Sequence, residues 1–384
     1  MRIEFETTAK LEKHLADGSD LRGAVFQGID LRSLAQRLAD VDLSGCVFLG
    51  CDIPESLYAR LGSFCASIFP TIPDTPFAKY RGLLYTPEEL LGDYRIGQLD
   101  SYQDTLDSRV YEHFMELGPN PDDAAEALTR RLHDMSITDA MQEFIAGKRV
   151  VAIMGGHSML RSDPMYREVA LIARTLTQLG YLVTTGGGPG AMEAAHVGAW
   201  FTTRSVSDLD DAIQILSQAP LYKPIGEWMD AAARVAEKYP VEDREACQSL
   251  GIPTWLYGHE PPALFALTIA KYFANSVRED GLLAIAKGGV VFTPGSAGTI
   301  QEIFQDSCQN HYKTVGVVSP MIFMGQEYWT RTKPVYPLLQ HLAEGMEYAN
   351  YLSLHDDGDK VIAEIQAYDE NQNTSSGNAA DAIA

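Results

Sequence analysis

The sequence predicts an α/β protein whose main domain is a doubly wound parallel sheet with helices on both faces. Three observations support this fold class. Apolar strand-like stretches alternate with amphipathic helical stretches over residues 149–368, the pattern of repeated β-α units. Glycine-rich turns at 186–190 and 294–298 each connect such a strand to a helix. The strand-like stretches are short and apolar, as in parallel sheets buried on both faces. We therefore expect a Rossmann-like domain at residues 146–368.

The elements of this domain follow one another in a regular order. The expected strands are RVVAIM, YLVTT, IPTWLYG, GVVFT, KTVGVVS and NYLSLHD. The expected helices are PMYREVALIARTLTQLG, GPGAMEAAHVGAW, PPALFALTIAKYFANSV, AGTIQEIFQDSCQ, KPVYPLLQHLAEG and DKVIAEIQAY. The third of these helices is apolar around its circumference, which predicts a buried or interface helix. A polar, helix-rich insertion at about 205–250 is a candidate lid, and residues 369–384, which lack large apolar side chains, are a predicted disordered tail.

Residues 1–145 form a separate N-terminal region, with a small β-rich element followed by helices. The stretches 20–31 and 42–53 share the frame D-L-x-G-x-V-F-x-G-x-D. Two copies are fewer than the roughly three that a repeat solenoid needs, so we expect a small structural element that faintly resembles pentapeptide repeats. Residues 86–145 carry helix signals: TPEELL offers an N-cap threonine and a proline at N1, and NPDDAAEALTRRLHDM places acids before bases.

The composition excludes several classes of partner. The chain has 52 acidic and 30 basic residues and a net charge of −22. Because this charge repels phosphate backbones and anionic surfaces, we expect neither a nucleic-acid polymer nor a membrane as a partner. The five cysteines are scattered and form no C-x-x-C pair, which predicts no disulfide framework and no metal site. With no signal-like or membrane-spanning apolar stretch, the expected location is the cytoplasm.

The first glycine-rich turn, GGGPG at 186–190, predicts an anion site. Backbone N–H groups and a helix N-terminus converge where a strand ends, and both favour negative charge. A phosphate is the expected occupant, and a tight turn without a ligand is the alternative. The G-x-G-x-x-G frame of dinucleotide sites is not met, so NAD is not expected.

The second turn has the same character. Pro294, Gly295 and Gly298 allow the backbone to approach a ligand closely, and Ser296 and Thr299 add hydroxyl donors. Since both turns follow strands of one parallel sheet, we expect them at the same edge of the domain.

Glu302 lies one helical turn beyond this second loop. One interpretation is a capping box, in which Thr299 and Glu302 satisfy free backbone groups at the start of a helix. The other is catalytic: a carboxylate beside a phosphate site can stabilise a cationic, oxocarbenium-like sugar or orient a water molecule. Spacing alone leaves both interpretations open.

Together the two glycine motifs resemble those of a known family. TTGGGPGAMEAA and TPGSAGTIQE are similar to the G-G-G-x-x-G-x-M and P-G-G-x-G-T-x-x-E motifs of the LOG family, the cytokinin riboside 5′-monophosphate phosphoribohydrolases, which belong to the Rossmann-fold nucleotide 5′-monophosphate nucleosidases. The resemblance covers residues 147–368. It implies hydrolysis of a nucleoside 5′-monophosphate to free base and ribose 5-phosphate, with no cofactor, and the expected substrate is a purine nucleotide such as AMP.

The resemblance also assigns ligand-binding residues. The first motif and its flank supply Gly186, Gly187, Gly188, Gly190, Met192 and Glu193, the last where many members have glycine. The second motif supplies Pro294, Gly295, Ser296, Ala297, Gly298 and Thr299. The loop after the first strand supplies Gly155, Gly156, His157 and Ser158. The motif glutamate of the family is catalytic, which implies the same role for Glu302.

Three features leave alternatives open. The family has a catalytic arginine followed by lysine before its second motif, whereas Arg278 is followed here by Glu279 and Asp280. Arg278 is therefore either the second catalytic residue or a solvated partner of those acids. His157 is a candidate general acid or a loop histidine bonded to backbone. The stretch YGHEPP, residues 257–262, is a candidate wall of the base pocket or a helix cap.

Three functions remain as hypotheses. The first is a nucleotide 5′-monophosphate phosphoribohydrolase, an N-glycosidase. The second is a catalytically inactive sensor or carrier that binds a nucleotide through the same loops, and the third is a scaffold that recruits a partner. Crevices of the family are completed by a neighbouring subunit, so the resemblance implies a homo-dimer or larger homo-oligomer.

Overall fold

The computed structural model describes residues 3–18, 20–70, 75–256 and 261–381, with side chains up to residue 372. The chain divides into two compact units. The first comprises Met1–Leu84 and Met115–Phe144, and the second comprises Tyr85–Phe114 and Ile145–Ala384. The sequence predicts residues 1–145 as one region, whereas by their contacts Tyr85–Phe114 belong to the second unit.

The first unit contains a four-stranded parallel sheet in the order β1-β2-β3-β4. Its elements along the chain are β1 (Glu4–Phe5), α1 (Thr8–Ala16), β2 (Val25–Gln27), α2 (Ala35–Leu38), β3 (Val47–Leu49), α3 (Glu55–Leu61) and β4 (Ser67–Phe69). Three helices follow in the chain: α4 (Pro87–Leu91), α5 (Leu106–Leu117) and α6 (Ala124–Ile145).

The repeat detected in the sequence forms the two central strands of this sheet. Phe26 and Phe48 pair in register and stack with ring centroids 4.7 Å apart, and Phe5 stacks on Phe26 at 5.4 Å. Gly23 and Gly45 have φ values of 70° and 69°, and Cys65, before β4, has the same left-handed conformation with φ 52°. The structural repeat therefore has a third copy that the sequence does not show, because Cys65 adopts the left-handed turn that glycine adopts in the first two copies.

The second unit contains a seven-stranded sheet in the order β11-β10-β9-β5-β6-β7-β8, with every pair parallel. Its elements are β5 (Arg149–Met154), α7 (Pro164–Gln178), β6 (Tyr181–Thr185), α8 (Ala191–Trp200), α9 (Val206–Leu216), α10 (Ile225–Lys238), β7 (Ser249–Gly251), β8 (Thr268–Ile269), α11 (Asn275–Ile285), β9 (Val290–Phe292), α12 (Ala297–Tyr312), β10 (Met321–Met324), α13 (Val335–Ala343), β11 (Leu352–His355) and α14 (Gly358–Asp381). The predicted Rossmann-like α/β fold is confirmed.

The core of this unit follows from its apolar strands. β5, β6 and β9 are buried along nearly their whole length, as expected for central strands covered on both faces. The helices begin at local signals: Asp163 caps α7 and accepts a hydrogen bond from the Met165 N–H, and Ser205 and Asp208 form a capping box at α9.

Two predicted strands lie at the wrong residues. The third strand is Ser249–Gly251 rather than IPTWLYG. Pro253 has no N–H to donate, so pairing with β6 ends after the Ile252 N–H donates to the Thr185 carbonyl. Beyond it, Thr254 makes only an isolated parallel bridge with Tyr272. KTVGVVS is also not a strand. Lys313 ends α12 in a left-handed conformation, the next residues turn, and pairing begins only at Met321.

The predicted apolar helix PPALFALTIAKYFANSV is wrong for most of its length. Thr268–Ile269 instead forms the edge strand β8, paired with β7, and helix α11 begins only at Asn275. A continuous apolar run does not distinguish a buried strand from a buried helix by periodicity. On the outer side of β8, Tyr85 forms an antiparallel bridge with Ile269.

The insertion at 205–250 contains α9 and α10, in agreement with its helix-rich composition. The terminal helix extends to Asp381, into the residues for which the sequence predicts a disordered tail. No helix among the described residues combines the length and the apolar character needed to cross a bilayer.

Candidate functional site

The loops that follow β5 and β9 and the start of α8 surround one cavity at the carboxyl edge of the seven-stranded sheet. Its volume is about 460 Å³. It is lined by Met154, Gly155, Gly156, His157, Ser158, Met192, Arg278, Glu279, Ser296, Ala297, Gly298, Thr299, Gln301 and Glu302. Most residues that the sequence assigns to a ligand therefore come together in space.

The three loops are fixed to one another through their backbones. The Gly156 N–H donates to the Pro294 carbonyl at 3.0 Å, and the Ala191 N–H donates to the Gly156 carbonyl at 3.2 Å. Gly190 has φ 72°, and a Cβ there would lie 2.4 Å from the Gly156 oxygen. Glycine at position 190 is thus required both by its backbone conformation and by the close approach of the neighbouring loop.

The glycines of the first motif lie behind the cavity wall rather than in it. The Gly187 N–H donates to Thr185 Oγ1 at 2.8 Å, and its carbonyl accepts from the Ala263 N–H. At Gly186 an added Cβ would lie 2.7 Å from Met192 Sδ and 2.9 Å from Arg278 Nη2. The first motif therefore makes room for Met192 and Arg278, which do line the cavity.

A buried hydrogen-bond chain supports this first loop. Thr185 Oγ1 lies 2.8 Å from His196 Nε2, and His196 Nδ1 lies 2.8 Å from Ser249 Oγ. Burial lowers the pKa of His196 to about 3, so the imidazole is neutral near neutral pH. His196 thus connects β6, α8 and β7 beneath the loop.

The structure places Glu193 away from the cavity. Its side chain is fully buried and its carboxylate accepts hydrogen bonds from Arg161 Nε and Nη2 and from the Tyr166 hydroxyl. Burial, followed by the charge of Glu193, raises the pKa of Tyr166 well above its usual value. Arg161 also donates to the Trp228 carbonyl on α10. Glu193 therefore fixes the insertion against α8 instead of binding a ligand.

The second glycine loop ends at the N-terminus of α12, which opens into the cavity. The N-cap is Ser296, whose side chain makes no capping hydrogen bond. The N–H groups of Ala297, Gly298 and Thr299 belong to the first turn, where a helix provides no acceptors of its own. These residues line the cavity, and the helix dipole adds positive potential there. The donors on which the expected anion site depends therefore face the cavity from the second loop rather than from the first.

The capping-box interpretation of Glu302 is wrong. α12 begins two residues before Thr299, so Thr299 is inside the helix and Glu302 is not the N3 residue of a cap. A Cβ on Gly295 would lie 2.1 Å from Thr299 Oγ1, which shows how closely the loop passes over the first turn. Glu302 instead lies on the cavity wall.

Arg278 lies in the cavity wall rather than in solvent. Its Nη1 is 3.6 Å from Glu302 Oε1 and 3.8 Å from Glu279 Oε1, and the side chain is 8% exposed. Its Nε donates to the Ile252 carbonyl at 2.9 Å. The guanidinium therefore contacts two carboxylates, of which sequence reasoning considered Glu279 only as a solvated partner.

Two further residues that sequence reasoning missed hold the second loop from outside. Lys333 Nζ donates to the Gly295 carbonyl at 3.3 Å and to Ser296 Oγ at 3.0 Å. The Tyr328 hydroxyl donates to the same Gly295 carbonyl. Both follow β10, the neighbour of β9, so the rule that ligands bind beyond the carboxyl ends of parallel strands could have indicated this region.

Of the remaining predicted residues, two line the cavity and two lie outside the described part of the chain. His157 and Ser158 line the cavity, and the His157 ring packs edge-on against Tyr222 of the insertion, with centroids 6.0 Å apart. Residues 257–260, which include the histidine and the glutamate of YGHEPP, lie outside the described part of the chain. Within the described part, no three His, Cys, Asp or Glu side chains are arranged to hold a metal ion.

Comparisons with known proteins give only weak similarities to solved structures. No protein-family model and no curated protein matches the chain. Among solved structures, the molybdenum cofactor binding protein of Rippkaea orientalis has a TM-score of 0.35 at 12% identity and covers 58% of this chain and 97% of its own. The molybdenum cofactor carrier protein of Chlamydomonas reinhardtii has a TM-score of 0.36 at 13% identity, and the match covers 57% of this chain and 97% of the carrier protein. Similarities of this size leave the function to be argued from the site.

Proposed function

We propose that this protein hydrolyses the N-glycosidic bond of a nucleoside 5′-monophosphate, as its resemblance to the LOG family implies. The observation that carries the proposal is the pair Glu302 and Arg278, which contact each other on the cavity wall beside the N-terminus of α12. The same cavity thus offers a site for an anion and a carboxylate for a cation.

The anion would be the 5′-phosphate. The first-turn N–H groups of α12 and the hydroxyls of Ser296 and Thr299 are donors suited to phosphate oxygens. The cavity volume, about 460 Å³, lies within the usual range for small-molecule sites. A purine nucleotide such as AMP is the substrate class that we propose.

The carboxylate of Glu302 would act at the sugar. As the C1′–N bond breaks, its electrons leave with the base, which is protonated, and positive charge develops on C1′ and the ring oxygen. A fixed carboxylate stabilises this charge. Water then adds to C1′ and releases a proton, which balances the proton taken up by the base, and ribose 5-phosphate is formed. The Arg278 contact fixes the position of Glu302.

The experiment compares the purified protein with two variants on a panel of nucleoside 5′-monophosphates, with free base and ribose 5-phosphate as the readouts. Glu302→Gln should retain nucleotide binding and lose base release. Asp280→Asn, an exposed change on the same helix as Arg278, should leave release unchanged. Release that survives Glu302→Gln would sink the catalytic assignment.

One observation favours a second candidate, a nucleotide-binding carrier or sensor without activity. Glu279 lines the cavity where the LOG family has a lysine, so the site has an additional negative charge beside Glu302. Nucleotide binding without base release from any member of the panel would support this candidate.

A further inference from the structure

Glu279 is a second carboxylate in the cavity, in addition to Glu302. It lies next to Arg278 on α11, lines the cavity, and its side chain is 11% exposed. A carboxylate that is nearly buried yet reaches a cavity needs hydrogen-bond donors around it.

The protein supplies such donors from two helices. Asn275 Nδ2 of α11 donates to Glu279 Oε1 at 2.7 Å, and Gln301 Nε2 of α12 donates to Glu279 Oε2 at 2.8 Å. Each carboxylate oxygen accepts more than one hydrogen bond. The amides therefore fix the plane of the carboxylate and leave acceptor capacity for a ligand.

The chemistry of that ligand group follows from the acceptor. A carboxylate accepts hydrogen bonds and repels phosphate, so within a nucleoside 5′-monophosphate its partner is a neutral donor group. Glu279 and Glu302 both contact Arg278 Nη1, which places Glu279 beside the group proposed to act at C1′. In a nucleotide, the hydroxyl next to C1′ is the 2′-hydroxyl.

We propose that Glu279 accepts a hydrogen bond from the 2′-hydroxyl of the pentose and thereby selects ribonucleotides over 2′-deoxyribonucleotides. This inference rests on the proposed function, because it takes the ligand to be a nucleoside 5′-monophosphate. Glu279 is then a specificity residue of the same site.

The test measures the dissociation constants of AMP and 2′-deoxy-AMP by calorimetry in a Glu302→Gln background, which prevents turnover. The Glu302→Gln parent should bind AMP about tenfold to a hundredfold more tightly than 2′-deoxy-AMP, the range for a hydrogen bond to a charged group. Adding Glu279→Ala should bring the ratio close to one, and adding Glu279→Gln should give an intermediate ratio. Asp280→Asn, the exposed neighbour bonded to Gln305, should preserve the parental ratio.

The outcomes separate this inference from the function on which it rests. Equal binding of the two nucleotides by the parent, or a ratio that persists in Glu279→Ala, would overturn the role of Glu279 while nucleotide binding stands. If neither nucleotide binds to the Glu302→Gln protein or to the protein without substitutions, the proposed function itself is overturned.

Discussion

Lys333 Nζ lies 3.0 Å from Ser296 Oγ and connects the segment after β10 to the loop that begins α12. Lys333 and Tyr328 also hold the Gly295 carbonyl. In a trans peptide the carbonyl and the following N–H point in opposite directions, so this contact turns the Ser296 N–H away from Lys333. The two residues thus set the orientation of a donor in the proposed phosphate site.

Lys333→Met should therefore weaken phosphate binding. The variant loses both hydrogen bonds to the loop and a positive charge near the anion, and we expect roughly a tenfold rise in the dissociation constant of AMP. Calorimetry in the Glu302→Gln background, which prevents turnover, measures this constant. Lys313→Met, which removes an exposed lysine paired with Glu347, is the matched control and should bind like the parent. Equal affinities for the two variants would contradict the role of Lys333.

Gly190→Ala should destabilise the second unit more than an ordinary substitution in a left-handed turn. The added methyl group meets the Gly156 carbonyl, and overpacking of this kind costs about 1–3 kcal/mol beyond the conformational cost. Gly316→Ala is the control, since Gly316 has φ 84° and open space around it. Urea unfolding compares the two, and equal losses would show that the loop contact at Gly190 is unimportant.

Asp306 should make the free energy of unfolding fall as the pH rises. It lies one turn beyond Glu302, its Oδ2 has no hydrogen-bond partner within the described residues, and burial raises its pKa to about 8. The folded state therefore holds a proton that the unfolded state releases above pH 4, so stability declines between about pH 4 and pH 8. The linkage amounts to a change on the order of 5 kcal/mol.

Asp306→Asn should remove most of this decline and be more stable than the parent at pH 8. Urea unfolding at several pH values measures it, with Asp280→Asn as an exposed control. Parallel pH profiles for the parent and Asp306→Asn would mean that Asp306 is ionised in the folded protein.

The repeat of the first unit predicts a pair of opposite effects. Gly45→Ala places a side chain in a left-handed turn and should lower the free energy of unfolding by about 1–2 kcal/mol. Cys65→Gly relieves the same strain at the equivalent turn and should raise it by up to about 1 kcal/mol. Gly62→Ala, with φ −59° and open space, is the control and should not destabilise. Thermal unfolding of the three variants checks the set.

The sheet and the position of its glycine loops could be predicted because they depend on local patterns. Apolar strands followed by glycine and then by a helix specify a parallel unit, and parallel units place their loops at one edge. Arg278 could be named, but its position could not, because the contact with Glu302 joins separate helices. Helix α12, strand β10 and a π-helical turn at Tyr328–Thr332 separate Lys333 from Ser296, and no local pattern connects the two residues.

The errors at the other edge of the sheet have a different cause. The residues around Thr268 are apolar on every side because they are covered on every side, and such coverage suits a strand and a helix equally. The strand is decided by the pairing of Thr268 with Leu250 and of Ile269 with Gly251, which are distant along the chain. The proline at 253 is a local signal that indicates where pairing stops, and it could have moved the predicted strand.

The bridge between Tyr85 and Ile269 has a consequence for association. Each of these residues donates its N–H to the carbonyl of the other, at 2.9 and 2.8 Å. The outward-facing donor and acceptor of the short edge strand β8 are therefore both occupied. An exposed edge strand is a template on which another chain can add a strand and start aggregation. At this edge, the segment at Tyr85 occupies the position that an incoming strand would need, so a strand of another molecule cannot pair with β8 there.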